Sequence, residues 1–164
     1  MSLATAQLIA LKAAILADGV LGPLTSGPGT DFNAIMLAMN AQSSPAFIVW
    51  RTSVTRAEYQ DDDAFNWTVV DNLTTGGKYR IWEWMFSATG SINPSKANIR
   101  AGIVACWVGN AALVAVQAMI LGKSKRTATR TERLLATGTG SDAAPGTLAF
   151  EGDVTVQEIA GMFP

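Results

Sequence analysis

The side chains that could do chemistry are few, and histidine is absent from the chain. Its absence removes the commonest general base, the commonest nitrogen ligand for metals and every catalytic arrangement that uses an imidazole. The remaining candidates are four clustered carboxylates, Glu58, Asp61, Asp62 and Asp63. A calcium loop starting at Asp61 is excluded, because Phe65 stands at a ligand position. We expect a solvated acidic surface, with a hydrolase that uses carboxylates alone as the alternative.

Two other sequence features contain reactive residue types, but a structural role explains them better than a chemical one. Cys106 is the one cysteine and lies in an apolar run, which predicts a buried thiol and no intramolecular disulfide. The tripeptide at 122–124, Gly-Lys-Ser, matches the end of a phosphate-binding loop, but Gln117 stands where that motif requires glycine. The tripeptide also follows a predicted helix, whose carboxyl end repels phosphate. The sequence therefore predicts a protein that is not an enzyme and has no cofactor or metal.

Basic residues are concentrated in one segment of the chain. Five of the twelve fall within residues 123–133, and we call them the basic segment: Lys123, Lys125, Arg126, Arg130 and Arg133. The net charge of −1 argues against a protein that coats nucleic acid through bulk positive charge. A solvated face, an ion pair with an acidic partner and a sequence-independent phosphate contact all fit the basic segment.

The apolar composition points to a surface that other molecules cover. Hydrophobic residues make up 49% of the 164 and charged residues only 15%, whereas soluble domains usually contain about 25% charged residues. The predicted helix over 78–87 is apolar on nearly every side. Trp82 and Trp84 are two residues apart, so on a helix they point about 200° from each other. With Phe86, they form the predicted interface with other copies or partners.

Periodicity and capping signals predict a mainly α fold, a small helical bundle with extended or β-like segments. Residues 47–50 fit either a strand or an extended piece that crosses the core. We predict a helical domain over 1–136 and, over 137–164, a C-terminal arm that is flexible, rich in Gly, Thr and Ala and ends in a short helix. Helices are predicted at 3–18, after Thr30 or Asp31, after Thr55, at 65–73, 78–87, 96–108, 111–121 and 130–136, and after Thr155.

Residues 101–122 carry no charge and are long enough to cross a bilayer as one helix. Gly109 and Asn110 fall mid-way, where a helix break would leave backbone groups unsatisfied in lipid. We therefore expect two buried helices here and no membrane contact. A small membrane-active protein that spans with residues 101–122 is the alternative. Lys12 interrupts the apolar stretch of the first helix, so no secretory signal is expected and synthesis is assigned to the cytoplasm.

Six segments spread over most of the chain form a recognisable set. They are IVWRTSVTR at 48–56, WTVVDNL at 67–73, IWEWMF at 81–86, INPSKANIRAG at 92–102, KRTATR at 125–130 and LLATGTG at 134–140. Together they resemble a family of small proteins from the structural gene clusters of tailed bacteriophages.

This resemblance implies a virion structural protein made in the host cytoplasm, a head–tail connector or neck adaptor. Such proteins form a ring beneath the portal, often twelvefold, from mostly helical protomers with an extended terminal arm. The implied partners are other copies of the chain, the portal protein, other tail or neck proteins and, non-specifically, the passing DNA. Another phage head or tail component, either a head-completion protein or a tail terminator, is the alternative within the same class.

Overall fold

The structure, a computed structural model, describes residues 3–70, 73 and 76–163, and describes only the backbone of Gly76, Gly77 and Tyr79. The chain divides into two units. A terminal unit consists of Met1–Val49 with Thr127–Pro164, and a central unit consists of Trp50–Arg126. The described residues form nine α-helices and four short strands, so the predicted mainly α fold is confirmed.

The elements follow the predicted order closely. In chain order they are α1 (Thr5–Ala17), α2 (Phe32–Asn40), β1 (Ile48–Trp50), β2 (Val54–Thr55), α3 (Arg56–Gln60), α4 (Trp67–Val70), α5 (Gly76–Phe86), β3 (Ser91–Ile92), α6 (Ala97–Cys106), α7 (Ala111–Lys123), β4 (Lys125–Thr127), α8 (Arg130–Leu135) and α9 (Val156–Met162). Of the two alternatives for residues 47–50, a strand or an extended piece, the structure has a strand, β1. Of the helix predicted over 65–73, α4 is observed, and residues 71 and 72 lie outside the described residues.

Side-chain caps fix the starts of five helices. The hydroxyls of Thr55, Thr129 and Thr155 each accept a hydrogen bond from the backbone N–H three residues later, at 3.2 to 3.3 Å. The glutamate at that later position accepts the threonine N–H in return, which completes a capping box. Asp31 caps α2 and Asn110 caps α7 in the same way. Each cap stabilises its helix by about 1 kcal/mol.

The core of the terminal unit also contains the C-terminal residues. Phe150 and Ile159 are buried in the same apolar cluster as Leu11 from α1. Asn40 at the end of α2 exchanges two hydrogen bonds with the backbone of Val154, at 2.8 and 2.9 Å. Residues 137–163 therefore pack with the N-terminal helices, and the observed division into units differs from the predicted boundary between 136 and 137.

The segment predicted as the flexible part of the arm is anchored at both ends. The backbones of Thr137 and Thr147 exchange hydrogen bonds of 3.0 and 2.9 Å, and Ile48 bonds to Gly140 and Gly146 at 2.7 and 2.8 Å. The Phe47 ring lies so close to both glycines that a Cβ would fall 2.1 Å from it at Gly140 and 2.4 Å at Gly146. Only glycine fits either position. Within residues 147–150, strand-like pairing is limited to the bridge of Thr147 with Thr137.

In the central unit, α5 packs against α6, and α6 packs against α7. The most buried large side chains of this unit are Tyr59, Trp82, Ile103, Trp107 and Ile120. The strands β2 and β3 pair in antiparallel fashion, with Val54 opposite Ile92. β1 pairs with β4.

The uncharged stretch 101–122 is two helices, as expected, but they are not buried throughout. Val104 on α6 and Val114 on α7 are 44% and 47% exposed, so each helix buries one face only. α6 ends at Cys106 and α7 begins at Ala111, so the break falls at the predicted Gly109 and Asn110. The Gln117 amide donates to the carbonyls of Val104 and Trp107 at 3.2 and 2.7 Å, which satisfies backbone groups near the end of α6. In the part of the chain that the structure describes, no helix combines the length and apolar character needed to cross a membrane.

Candidate functional site

The inner face of α5 is part of the core of the central unit. Trp82 is 1% exposed, and its ring packs edge-on against Phe86, with 4.9 Å between centroids, and against Trp107 at 5.2 Å. Phe86 is also buried, because residues four apart lie on the same side of a helix. Two of the three predicted interface residues, Trp82 and Phe86, therefore belong to the core.

The outer face of α5 carries the third predicted interface residue. Trp84 is 78% exposed, and Ile81 beside it is 45% exposed. The amide and hydroxyl of Ser87 both donate to the Trp84 carbonyl, at 3.2 and 2.8 Å, and hold the end of the helix in place. The side chain of Tyr79, also predicted on the apolar helix, lies outside the described residues. An exposed indole on an anchored helix has the character of an interface anchor.

A groove of about 620 Å³ runs along this outer face. Its exposed apolar surface comes from Ile81 and Trp84, and the buried Phe86 borders it. Its charged residues are Arg56, Arg80 and Glu83.

Two of these charges neutralise each other, because Arg56 forms an ion pair with Glu83. Arg80 is exposed and has neither an ion pair nor a hydrogen bond within the described part of the chain. The groove, which we call the α5 groove, is thus apolar with one uncompensated positive charge.

The structure divides the basic segment between the two units. Lys123, Lys125 and Arg126 belong to the central unit, and Arg130 and Arg133 to the terminal unit. In the central unit, the Lys123 ammonium is 2.7 Å from a carboxylate oxygen of Asp62. The ammonium of Lys125 lies 5.5 Å from the centre of the Trp50 ring.

In the terminal unit both arginines of the basic segment bind groups of their own chain. Arg133 donates to the carbonyl of Pro45 at 3.1 Å, and Arg130 forms an ion pair with Asp18. The Asp18 carboxylate also accepts the N–H groups of Leu21 and Val20, at 2.9 and 2.8 Å. The Leu21 hydrogen bond, the Arg130 guanidinium and the Val20 hydrogen bond together lower the pKa of Asp18 to about 2. Arg130 therefore contributes to folding, whichever partner the basic segment binds.

Asp18→Asn is expected to lower the free energy of unfolding by about 1 to 2 kcal/mol at pH 7. The carboxylate has a lower pKa in the folded chain than in the unfolded chain. Its stabilisation is therefore complete above about pH 4 and is lost as the pH falls towards 2. Urea unfolding of the wild type and Asp18→Asn at pH 7 and pH 3 measures the difference in the free energy of unfolding. Asp153→Asn, which changes an exposed acid, is the control. If Asp18→Asn lowered the free energy of unfolding equally at both pH values, the low pKa given to Asp18 in the folded chain would be contradicted.

The acidic cluster is solvated only in part, because the half-buried Glu58 forms an ion pair with Arg51. Asp62 accepts the Ala64 N–H at 2.8 Å and pairs with Lys123, while Asp61 and Asp63 are exposed. Within the described ranges, no group of three or more acidic, cysteine or histidine side chains could hold a metal ion. Cys106 is fully buried as predicted, and burial raises the pKa of its thiol.

Two features of the central unit were missed by sequence reasoning. Arg80 carries no motif, and that it has no partner among the described residues becomes visible only once the groove beside it is formed. Trp67 is 59% exposed, and its place at the start of the four-residue helix α4 gives no sequence signal for exposure.

Comparisons of the chain with protein-family models, with curated proteins and with solved structures each found no match. The class that the fold itself defines is a mainly α-helical protein of two units, with an apolar groove on the outer face of α5.

Proposed function

We propose that this chain is a non-enzymatic structural protein of a tailed-bacteriophage virion, a head–tail connector or adaptor. Its copies form an oligomeric ring that joins the portal to the tail. The choice of this family rests on the resemblance of the six sequence segments. The observation that carries the proposal is the exposure of Trp84, 78% accessible on a helix whose opposite face is fully packed.

Covering this exposed surface is energetically favourable. Covering one exposed tryptophan removes roughly 150 Å² of mostly apolar surface from water and contributes about 3 to 4 kcal/mol. Ile81 adds to the same apolar area, and Arg80 supplies a charge that a complementary surface can satisfy. A closed ring has as many interfaces as protomers, because each interface is shared by two neighbours. The gain in free energy is therefore made once per protomer.

The test is the molar mass of the purified chain, alone and mixed with the portal protein of its own phage, by analytical ultracentrifugation. We expect multiples of the 17.3 kDa protomer and co-sedimentation with the portal. A portal from an unrelated phage is the matched control and is expected to leave the chain free. A chain that remains a 17.3 kDa monomer and ignores its own portal would contradict the connector assignment.

A further inference from the structure

A second exposed surface of the central unit complements the α5 groove in charge and apolarity. We call residues 61–67 the acidic segment. Asp61 and Asp63 are exposed, and neither makes an ion pair within the described residues. Trp67 follows four residues after Asp63, with 59% of its surface exposed. Within seven residues this segment therefore presents two uncompensated negative charges and an exposed indole, whereas the groove is lined by Arg80, Ile81 and Trp84.

The two surfaces are directed to different sides of the protomer. Trp67 packs edge-on against Phe65 at 5.0 Å, Phe65 against Trp107 at 5.8 Å, and Trp107 against Trp82 at 5.2 Å. This chain of rings leads to the buried face of α5. Trp84 points away from that face, because side chains two residues apart on a helix diverge by about 200°. One protomer thus carries the groove and its complement on separate surfaces.

Complementary surfaces on separate faces produce head-to-tail assembly. When the groove of one copy takes up the acidic segment of another, the first copy keeps a free acidic segment and the second a free groove. Such heterologous contacts repeat until the rotation closes a ring.

We propose that the α5 groove receives the acidic segment of a second copy of this chain, with Arg80 facing the carboxylates of Asp61 and Asp63. This inference rests on the proposed function, since it requires a chain that self-associates, and it adds the two surfaces that meet. Trp84 and Trp67 come together in the apolar centre of the contact. The charged pairs at its edge select head-to-tail over head-to-head pairing, because like surfaces would place Arg80 against Arg80.

The experiment is a charge exchange read out by sedimentation velocity over a range of protein concentrations. Arg80→Glu, and separately the double variant Asp61→Lys with Asp63→Lys, are each expected to raise the dissociation constant about tenfold or more. The protein that carries all three substitutions is expected to return to within about threefold of the wild type, because the charges are exchanged and still opposite. Asp153→Lys, which reverses an exposed charge in the terminal unit, is the matched control and should have no effect.

The possible results distinguish failure of this contact from failure of the proposed function. If neither reversal weakens association while Trp84→Glu does, the acidic segment is not the occupant, and self-association through α5 stands. Failure of the triple variant to recover after both reversals weaken association would overturn the direct pairing of Arg80 with these carboxylates. A wild-type chain that stays monomeric would overturn the proposed function as well. Thermal melts of every variant verify the fold, and Arg80→Gln replaces Arg80→Glu if the reversal lowers the melting temperature.

Discussion

Trp82→Ala is expected to destabilise the chain by about 3 to 5 kcal/mol, while Trp84→Ala, two residues further along the same helix, is expected to change stability by less than about 0.5 kcal/mol. Trp82 is 1% exposed and packs against Tyr59, Phe86 and Trp107. Its removal leaves a cavity among aromatic rings. Trp84 is 78% exposed, so truncating it removes little buried surface from the protomer.

Urea unfolding followed by circular dichroism measures both free energies. Because association stabilises the folded chain by mass action, the titrations belong at concentrations where the protein is monomeric. A cavity in a close-packed core relaxes only partly, so we expect the midpoint of Trp82→Ala to move well below that of the wild type. Equal destabilisation by the two substitutions would show that the faces of α5 are not divided as described.

Local signals in the sequence predict much of the fold. The capping boxes at Thr55, Thr129 and Thr155 depend on residues three positions apart, so the helix starts can be read directly from the chain. The break at Asn110 is equally local, since its side chain caps the first turn of α7. The divergence of Trp82 and Trp84 follows from helix geometry alone.

Other features depend on contacts between distant parts of the chain. Which indole of α5 is buried is decided by Tyr59 and Trp107, more than twenty residues away on either side. The ion pair of Arg130 with Asp18 joins residues 112 positions apart, and the packing of Val154 against Asn40 joins residues 114 apart. Because no periodicity records such pairings, the sequence could identify the basic segment but not its partners.

The candidate site was also predictable only in part, because contacts between distant parts of the chain decide which of its residues are exposed. Sequence reasoning named three apolar residues of α5 as an interface, and the structure leaves only Trp84 of these on the surface. Helical spacing would have placed Phe86 with Trp82, four residues apart, on a single face. Arg80 escaped notice, because an isolated arginine on a helix is ordinary until it lies beside a groove whose carboxylate, Glu83, is already paired with Arg56.

Trp84→Glu is expected to have the largest effect on assembly, raising the dissociation constant between copies at least about a hundredfold. The substitution removes an exposed anchor and would place a carboxylate in an apolar contact without a water shell. The isolated protomer should keep its stability, since the side chain is already in solvent. Val20→Glu is the matched control, because Val20 is 75% exposed and belongs to the terminal unit, whereas α5 belongs to the central unit.

In the proposed assembly a second copy covers the outer face of α5. Sedimentation velocity on the wild type, Trp84→Glu and Val20→Glu at equal concentrations measures whether it does. We expect an oligomer for the wild type and Val20→Glu, and a folded species at the 17.3 kDa protomer mass for Trp84→Glu. An oligomer of unchanged size and affinity in Trp84→Glu would contradict the proposed assembly.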